Sequence, residues 1–511
     1  MTTRPSTLRR YLILGTTGAA AGLSLWGQSA QARDASGGLL DRLGPRFRPA
    51  HGALSEPRRP RLHPDGSLNA LERWNQIAID TSGLDHTPVP DTELVRKFGQ
   101  QLGPGRSARA MAIVHIAVFD AVNAIRGGYR TYTGLPRADH GTSIDSAVAQ
   151  AAHDTLVALY PSHAPRLAHV LAQDLARVRP VRGRGEAHAT GIELGRQAAA
   201  AIIALRNGDG SQHDEPRIGT DPAKDYVLVA GAGKWRPDPI SQVPIAMGAR
   251  WSSVKPLVMA SATQFRLPSP PEPASPEWAA ALAEVKRLGG DGKTSATERT
   301  HDQTEIGIFW AYDGMPSLCA PPRLYNQITT HIAAQQRSGI VELARLLALV
   351  NVAMADAGLA IWESKYHFAV ARPVTAIREA PATPADASFV PLGAPASNIT
   401  GPNFTPPFPA YPSGHAGFGG ALFQTLRNFY GTDRIGFEFV SDELNGATTD
   451  NLGHPRPLRP RRFTTLSQAE LENARSRIYL GIHWSFDATQ GVAQGQRVAD
   501  YVFRNSFTAL R

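Results

Sequence analysis

Apolar residues recur at helical spacing over most of the chain. The segment Arg109–Ile125, RAMAIVHIAVFDAVNAI, carries apolar residues at 110, 113, 114, 117, 118, 121 and 122. That spacing predicts a helix with one stripe turned to a core. Similar Ala- and Leu-rich patterns predict helices over 144–160, 165–179 and 185–206, and a long apolar helix over Ile340–Trp362. Further helices are predicted over 414–430, 467–480 and 488–504. No segment alternates apolar and polar residues convincingly, so strands are not expected. Residues 215–275 are rich in Pro and Gly, contain Trp235 and Trp251, and read as a long connection wrapped on a helical body. A second Pro-rich loop covers 375–411. The expected fold class is all-α: a helical bundle over 72–214, an irregular connection over 215–275, and a C-terminal helical bundle over 276–511, each bundle of four-helix type.

Composition narrows the function classes. Hydrophobic residues are 42% of the 511, enough for a large core, and charged residues are 19%, below the ~25% usual for soluble domains. Cys319 is the single cysteine, which excludes an intrachain disulfide, a CxxC redox pair and a Cys-built zinc site. Its neighbours Leu318, Ala320 and Pro321 predict burial. Residues 1–32 hold Arg4, Arg9 and Arg10, no acid, an apolar stretch from Tyr11 to Trp26, and Ala30-Gln31-Ala32. This is the layout of a bacterial twin-arginine export signal, so a secreted or periplasmic location is expected, with residues 33–71 as an extended arm. The net charge is +9, and without the three arginines of 1–32 the 53 basic residues fall to 50 against 44 acids, leaving +6. Nothing in that balance, and no motif, calls for a nucleic-acid partner. Beyond the signal no uninterrupted apolar run reaches the ~18 residues of a membrane span, so stable insertion is not expected. Asn207-Gly208-Asp209-Gly210 resembles a calcium loop only faintly and lacks the full ligand spacing.

The chemistry lies in three pieces of the C-terminal half. Lys365 and Arg372 stand seven apart, and Pro373 disfavours helical backbone at Arg372, so two cations emerge near a helix end. Tyr411-Pro412-Ser413-Gly414-His415 precedes a helical pattern. Ser413 suits the N-cap, and the Gly414 N–H with His415 in the first turn suits an anion. Ser476-Arg477 is followed by His483 and, four residues on, Asp487, which is placed to orient that histidine or stabilise its charge. Three cations, a hydroxyl, a glycine N–H and two histidines describe a pocket for a tetrahedral oxyanion.

The order K-x6-RP, PSGH, SR-x5-H-x3-D resembles that of the superfamily shared by vanadium-dependent haloperoxidases, type 2 phosphatidic acid phosphatases and bacterial nonspecific acid phosphatases. The 60 residues between His415 and Ser476 suit the haloperoxidases better. Trp310 to Gly314, Pro321 to Gln327, Trp362 and Phe408 look like the chloroperoxidase type, whereas algal-type bromoperoxidases usually carry a His in place of Phe408. The resemblance is specific over about 300–511. It implies vanadate as cofactor, bound to a ring nitrogen of His415. It further implies that Lys365, Arg372, Arg477, Ser413 and the Gly414 N–H take the oxygens. His483 would help deprotonate hydrogen peroxide, and Lys365 would polarise it toward halide attack, vanadium acting as a Lewis acid. Asp313 would pair with the cationic cluster through Arg477. Trp362 and Phe408 would wall the halide pocket. The implied partners are hydrogen peroxide, chloride or bromide, and an organic molecule that takes the halogen. Two alternatives stay open: an exported acid phosphatase in which His415 attacks phosphorus and His483 protonates the leaving oxygen, and a non-enzymatic anion-binding protein.

Overall fold

The structure, a computed structural model, describes residues 69–89, 93, 95–178, 185–313, 318–379, 385–394, 404–450 and 452–510. The expected export signal and the expected arm as far as 68 lie outside the described residues. Asn69 is the N-cap of α1 (Ala70–Asp85), its side chain accepting the Glu72 N–H at 2.8 Å. Among the described residues thirteen α-helices follow one another, with short 3-10 turns and a two-stranded ribbon between them.

The centre is a pair of long apolar helices, α2 (Pro104–Arg126) and α9 (Ile340–Phe368), packed on each other. Both are long and apolar enough to cross a membrane by length and composition, yet they are buried inside this fold. Proline at the first turn starts α2, and from Arg106 to Ile125 every residue is buried. On one side stand α1, α3 (Ile144–Leu159), α4 (Ala164–Arg177) and α5 (Gly185–Arg206). The helices α6 (Pro276–Gly289), α7 (His301–Phe309) and α8 (Pro322–Gln335) lead back to α9. Beyond it the short α10 (Pro373–Glu379) precedes α11 (Gly414–Tyr430), α12 (Leu466–Tyr479) and α13 (Ser485–Asn505), which complete the second side. One continuous apolar core runs from Leu71 to Phe507 through both sides. The all-α reading holds, apart from the antiparallel ribbon of β1 (Phe437–Phe439) and β2 (Arg461–Phe463). Its strands are three residues long, too short for an alternating pattern to show in the sequence.

The glycines of α11 serve close packing. A Cβ at Gly495 of α13 would collide with the Gly417 carbonyl, and one at Gly420 with the Val492 backbone. The α11–α13 pair therefore sits backbone to backbone, which seats the start of α11 rigidly.

Residues 215–275 form a strap, irregular except for a short turn at Trp251–Ser253. The strap is tied to the core by backbone bonds from Trp235 N–H to Ala369 C=O at 2.7 Å and from Ala371 N–H to Gly233 C=O at 2.8 Å. Glu215 pairs with Arg106 and accepts the Gly248 N–H. Asp356, fully buried on α9, accepts three successive strap N–H groups, from Leu257 (2.7 Å), Val258 (2.8 Å) and Met259 (2.8 Å). The faint calcium reading of 207–210 finds another explanation. Asp209 is taken by Arg109 at 2.7 Å and Arg206 at 2.9 Å, and no group of metal-ligating side chains occurs among the described residues.

Replacing Asp356 by Ala leaves three buried strap N–H groups without an acceptor. The expected loss is about 3 kcal/mol or more in urea-unfolding experiments, at ~1–3 kcal/mol per orphaned group. Proteolytic cleavage near 257–259 should appear before global unfolding. An unchanged midpoint would remove the strap's anchor from this account.

Candidate active site

Three helix ends converge on one point. Helix α9 stops at Phe368, where Ala369 adopts left-handed backbone (φ 51°) and its N–H caps the Lys365 carbonyl at 2.8 Å. Lys365 is thereby left on the last turn and Arg372 just beyond it, directly before Pro373. Helix α11 begins at Gly414, with Ser413 as its N-cap accepting the Ala416 N–H. Arg477 sits in the last turn of α12, and Asp487 in the first turn of α13.

The predicted site residues come together here, all buried except Asp313, which is half-buried with its side chain turned inward. His483 Nδ1 lies 2.7 Å from Asp487 Oδ2, and its Nε2 lies 3.0 Å from Arg372 Nη1. A guanidinium only donates, so Nε2 accepts and Nδ1–H donates to Asp487: the ring is neutral with a basic nitrogen. Asp487 also accepts the Trp484 N–H at 3.1 Å, and its carbonyl accepts the Ser413 N–H at 3.0 Å, joining α13 to the cap of α11. Asp313 pairs with Arg477 Nη2 at 2.6 Å, as expected from sequence, and stands 3.8 Å from His415 Nε2. His415 Nε2 donates to the Ala311 carbonyl at 2.5 Å, which leaves Nδ1 as the ring nitrogen able to carry a lone pair, and the lowered pKa of the ring favours that neutral form.

Charge is concentrated and desolvated. Burial first, then the cations around them, holds both histidines well below the ordinary imidazole value; the nearest cation is Arg477 for His415 and Arg372 for His483. Burial and Arg372 push the Lys365 ammonium well down. Burial brings Arg372 to about 9 despite Asp487, and lifts Asp487 to about 7 against Lys365. Asp313 is raised by burial, with Arg477 opposing.

The donors are unequally used. Lys365 Nζ donates to the carbonyls of Pro409 (3.0 Å), Ala410 (2.9 Å) and Pro412, so its three protons hold the loop below the helix start. Arg372 spends Nε on the Phe408 carbonyl at 2.9 Å and Nη1 on Ile482 and His483. Yet Arg372 Nη2 and Arg477 Nε and Nη1 are buried with no hydrogen-bond partner among the described residues. Three orphaned guanidinium nitrogens are costly unless an acceptor arrives. Their planar forks fit the oxygens of a tetrahedral oxyanion, and a neutral histidine beside them fits a metal. Vanadate passes this test of fit.

Asp313, Gly414, His415, Arg477 and His483 of the cluster line a cavity, whereas Lys365, Arg372 and Ser413 are not among its lining residues. Trp362 and Phe408, with ring centres 5.1 Å apart, form one wall, and Gly414, His415, Arg477 and His483 lie at the bottom. Sequence reasoning missed the other walls: Val243 and Met247 of the strap, Leu102 and Gly103 before α2, and Phe404. The Met247 carbonyl accepts from Trp362 Nε1 at 3.2 Å and Tyr366 Oη at 2.7 Å. Two positioning residues were also missed. Tyr325 Oη and Asn473 Nδ2 donate to the His415 carbonyl at 3.0 and 2.9 Å. Asn473 lies four residues before Arg477 on α12, a spacing that puts both on one face and was open to a sequence reading. Cys319 is buried as expected, 2.9 Å from Ser82 Oγ.

The family described as VCPO second helical-bundle domain matches residues 345–510, the span that carries all three motifs. Vanadium chloroperoxidase of Curvularia inaequalis is 30% identical over 498 residues, covering 83% of this chain and 79% of that protein. A crystal structure described as the first bacterial vanadium-dependent iodoperoxidase superposes with a TM-score of 0.67 at 23% identity, over 88% of this chain and 99% of that one. An apo-type bacterial vanadium-dependent chloroperoxidase gives 0.60 at 15% identity, over 79% and 94%. These two likenesses carry the shared helical fold. With the curated relative's identity spread over most of both proteins, the chain belongs to the vanadium-dependent haloperoxidase family.

Proposed function

We propose that this protein holds vanadate in the cavity floor and oxidises chloride or bromide with hydrogen peroxide to hypohalous acid. The observation that carries the reading is the set of orphaned guanidinium nitrogens on Arg372 and Arg477 beside the neutral His415. Vanadate, when bound, supplies a Lewis-acid centre that activates peroxide without a change of oxidation state. His415 gives it a ring nitrogen, and Arg372, Arg477, Ser413 and the Gly414 N–H hold its oxygens. His483 takes a proton from peroxide at Nε2, and Asp487 at 2.7 Å fixes the tautomer that makes this possible. Lys365 adds positive charge that polarises peroxide toward the halide. Asp313 keeps Arg477 aimed at the site. Trp362 and Phe408 give the halide an apolar wall of low polarity. The choice of chloride or bromide rests on Phe408, an aromatic ring without a titrating group. The phosphatase alternative uses the same cradle with His415 as nucleophile, and the assay below separates the two. We further propose export by the twin-arginine route, from Arg9-Arg10 and Ala30-Gln31-Ala32.

The anion site is linked to protons. Both histidines have lowered pKa values in the free site through burial and the surrounding cations, and a bound oxyanion returns negative charge and raises them. The complex therefore holds more protons than the free protein, and affinity rises as pH falls. Sulfate, which does not titrate near neutrality, is the clean probe. Calorimetry in buffers of different ionisation enthalpy should show proton uptake on sulfate binding at pH 7–8. Proton release would contradict the charge assignment.

Desalted protein should gain peroxide-dependent bromination and chlorination of a diketone reporter on adding orthovanadate. His415→Ala should lower that activity by at least ~10²-fold and lose retained vanadium on dialysis, because it removes the one metal-bonded side chain. Hydrolysis of p-nitrophenyl phosphate without vanadate, and no halide oxidation with it, would assign the site to phosphate-ester chemistry. For export, changing Arg9 and Arg10 to Lys should strand the precursor in the cytoplasm. Undiminished export of that variant would remove the twin-arginine assignment.

A further inference from the structure

We propose that Met247 is the residue at which this protein oxidises itself, its thioether capturing hypohalous acid made in the same cavity and becoming methionine sulfoxide. This rests on the halide-oxidising reading above. The sequence has six methionines. Met111, Met259 and Met354 are buried at 1%, 5% and 0% exposure and do not line the cavity, while Met1 and Met315 lie outside the described residues. Met247 is half-buried and lines the cavity with Trp362, Phe408, His415 and His483. Electrophilic halogen formed in the cavity therefore meets the Met247 side chain as one of its walls. Thioether sulfur is a soft, polarisable nucleophile and the most readily oxidised group on that path. The other sulfur nearby, Cys319, is withdrawn: it is 1% exposed and absent from the cavity lining.

The step balances. The halogen of hypohalous acid moves to sulfur and hydroxide leaves. Water then attacks the halosulfonium sulfur, halide departs, and two protons are lost, one of them to the hydroxide. The net result is thioether plus hypohalous acid giving sulfoxide, proton and halide, sulfur losing two electrons and halogen gaining them.

The location gives the step a consequence. The Met247 side chain packs with Phe98, Leu102 and Phe404 in a small apolar cluster at the cavity. Its backbone holds Trp362 and Tyr366 through its carbonyl, and its N–H donates to the Pro407 carbonyl at 3.0 Å. A polar sulfoxide in that cluster loosens the strap where it meets both Trp362 and the 404–413 loop. Activity then falls with the number of turnovers.

The test uses the full protein loaded with orthovanadate and given hydrogen peroxide and bromide, with limiting diketone reporter to count turnovers. Peptide mapping by mass spectrometry follows. Met247 should be oxidised about tenfold more than Met111, Met259 or Met354, following exposure to the oxidant. Omitting bromide or vanadate should abolish the modification, and excess reporter should suppress it. Met247→Leu should lose activity about threefold more slowly per turnover, relative to its own starting rate, whereas Met259→Leu should behave as wild type. Reporter turnover with Met247 unmodified, or equal oxidation without bromide, overturns the proposal and leaves the halide-oxidising reading standing. Absence of vanadate-dependent turnover overturns both.

Discussion

The structure depends on a cluster of buried cations that the protein itself leaves incompletely neutralised. Lys365, Arg372 and Arg477 are each at most 1% exposed, and among the described residues Asp313, Asp487 and, for Arg372, Asp238 oppose their charge. Desolvated charge of this kind is destabilising unless each proton finds an acceptor. The chain supplies acceptors for most of them from backbone carbonyls at 409–412, 408 and 482. It leaves three guanidinium nitrogens, Arg372 Nη2 and Arg477 Nε and Nη1, without an acceptor among the described residues. An oxyanion would supply the acceptors that these nitrogens lack.

Rigidity around the cluster comes from contacts that have little to do with chemistry. The glycine-to-glycine approach of α11 and α13 fixes the helix start that carries Ser413 and His415. Tyr325 and Asn473 hold the His415 carbonyl from two other helices. The strap, pinned by Asp356 and Glu215, lines the cavity with Val243 and Met247. Fixed groups of this sort need no reorganisation when charge shifts during reaction, which is where electrostatic catalysis gains its strength.

Much of the site was legible in the sequence because its residues cluster in three short motifs at helix boundaries. Pro373 after Arg372, Ser413 as N-cap and the His483–Asp487 spacing each follow from local rules, and the structure bears them out. The Asp313–Arg477 pair was reached through family resemblance, since 164 positions separate the two. The walls from Val243, Met247 and Leu102 could not be read. Their segment has no period, and what positions them is long-range: single carboxylates on α9 and in the strap gripping backbone N–H groups. The ribbon at 437–439 and 461–463 escaped for a related reason, its pairing being set by contacts rather than by pattern. Lys365 was expected to face the anion. Its ammonium donates to three backbone carbonyls of the 409–412 loop, contacts that span 44 to 47 positions and that no local rule reads.

The central claim is that the open donors of Arg372 and Arg477, beside His415, define a vanadate site. X-ray diffraction at the vanadium absorption edge, on crystals soaked in orthovanadate, tests it most directly. The account predicts one anomalous peak in the cavity floor, within bonding distance of a His415 ring nitrogen, with its oxygens on Arg372 Nη2 and on Arg477 Nε and Nη1. A cavity floor without vanadium, or a peak held by other residues, would contradict it.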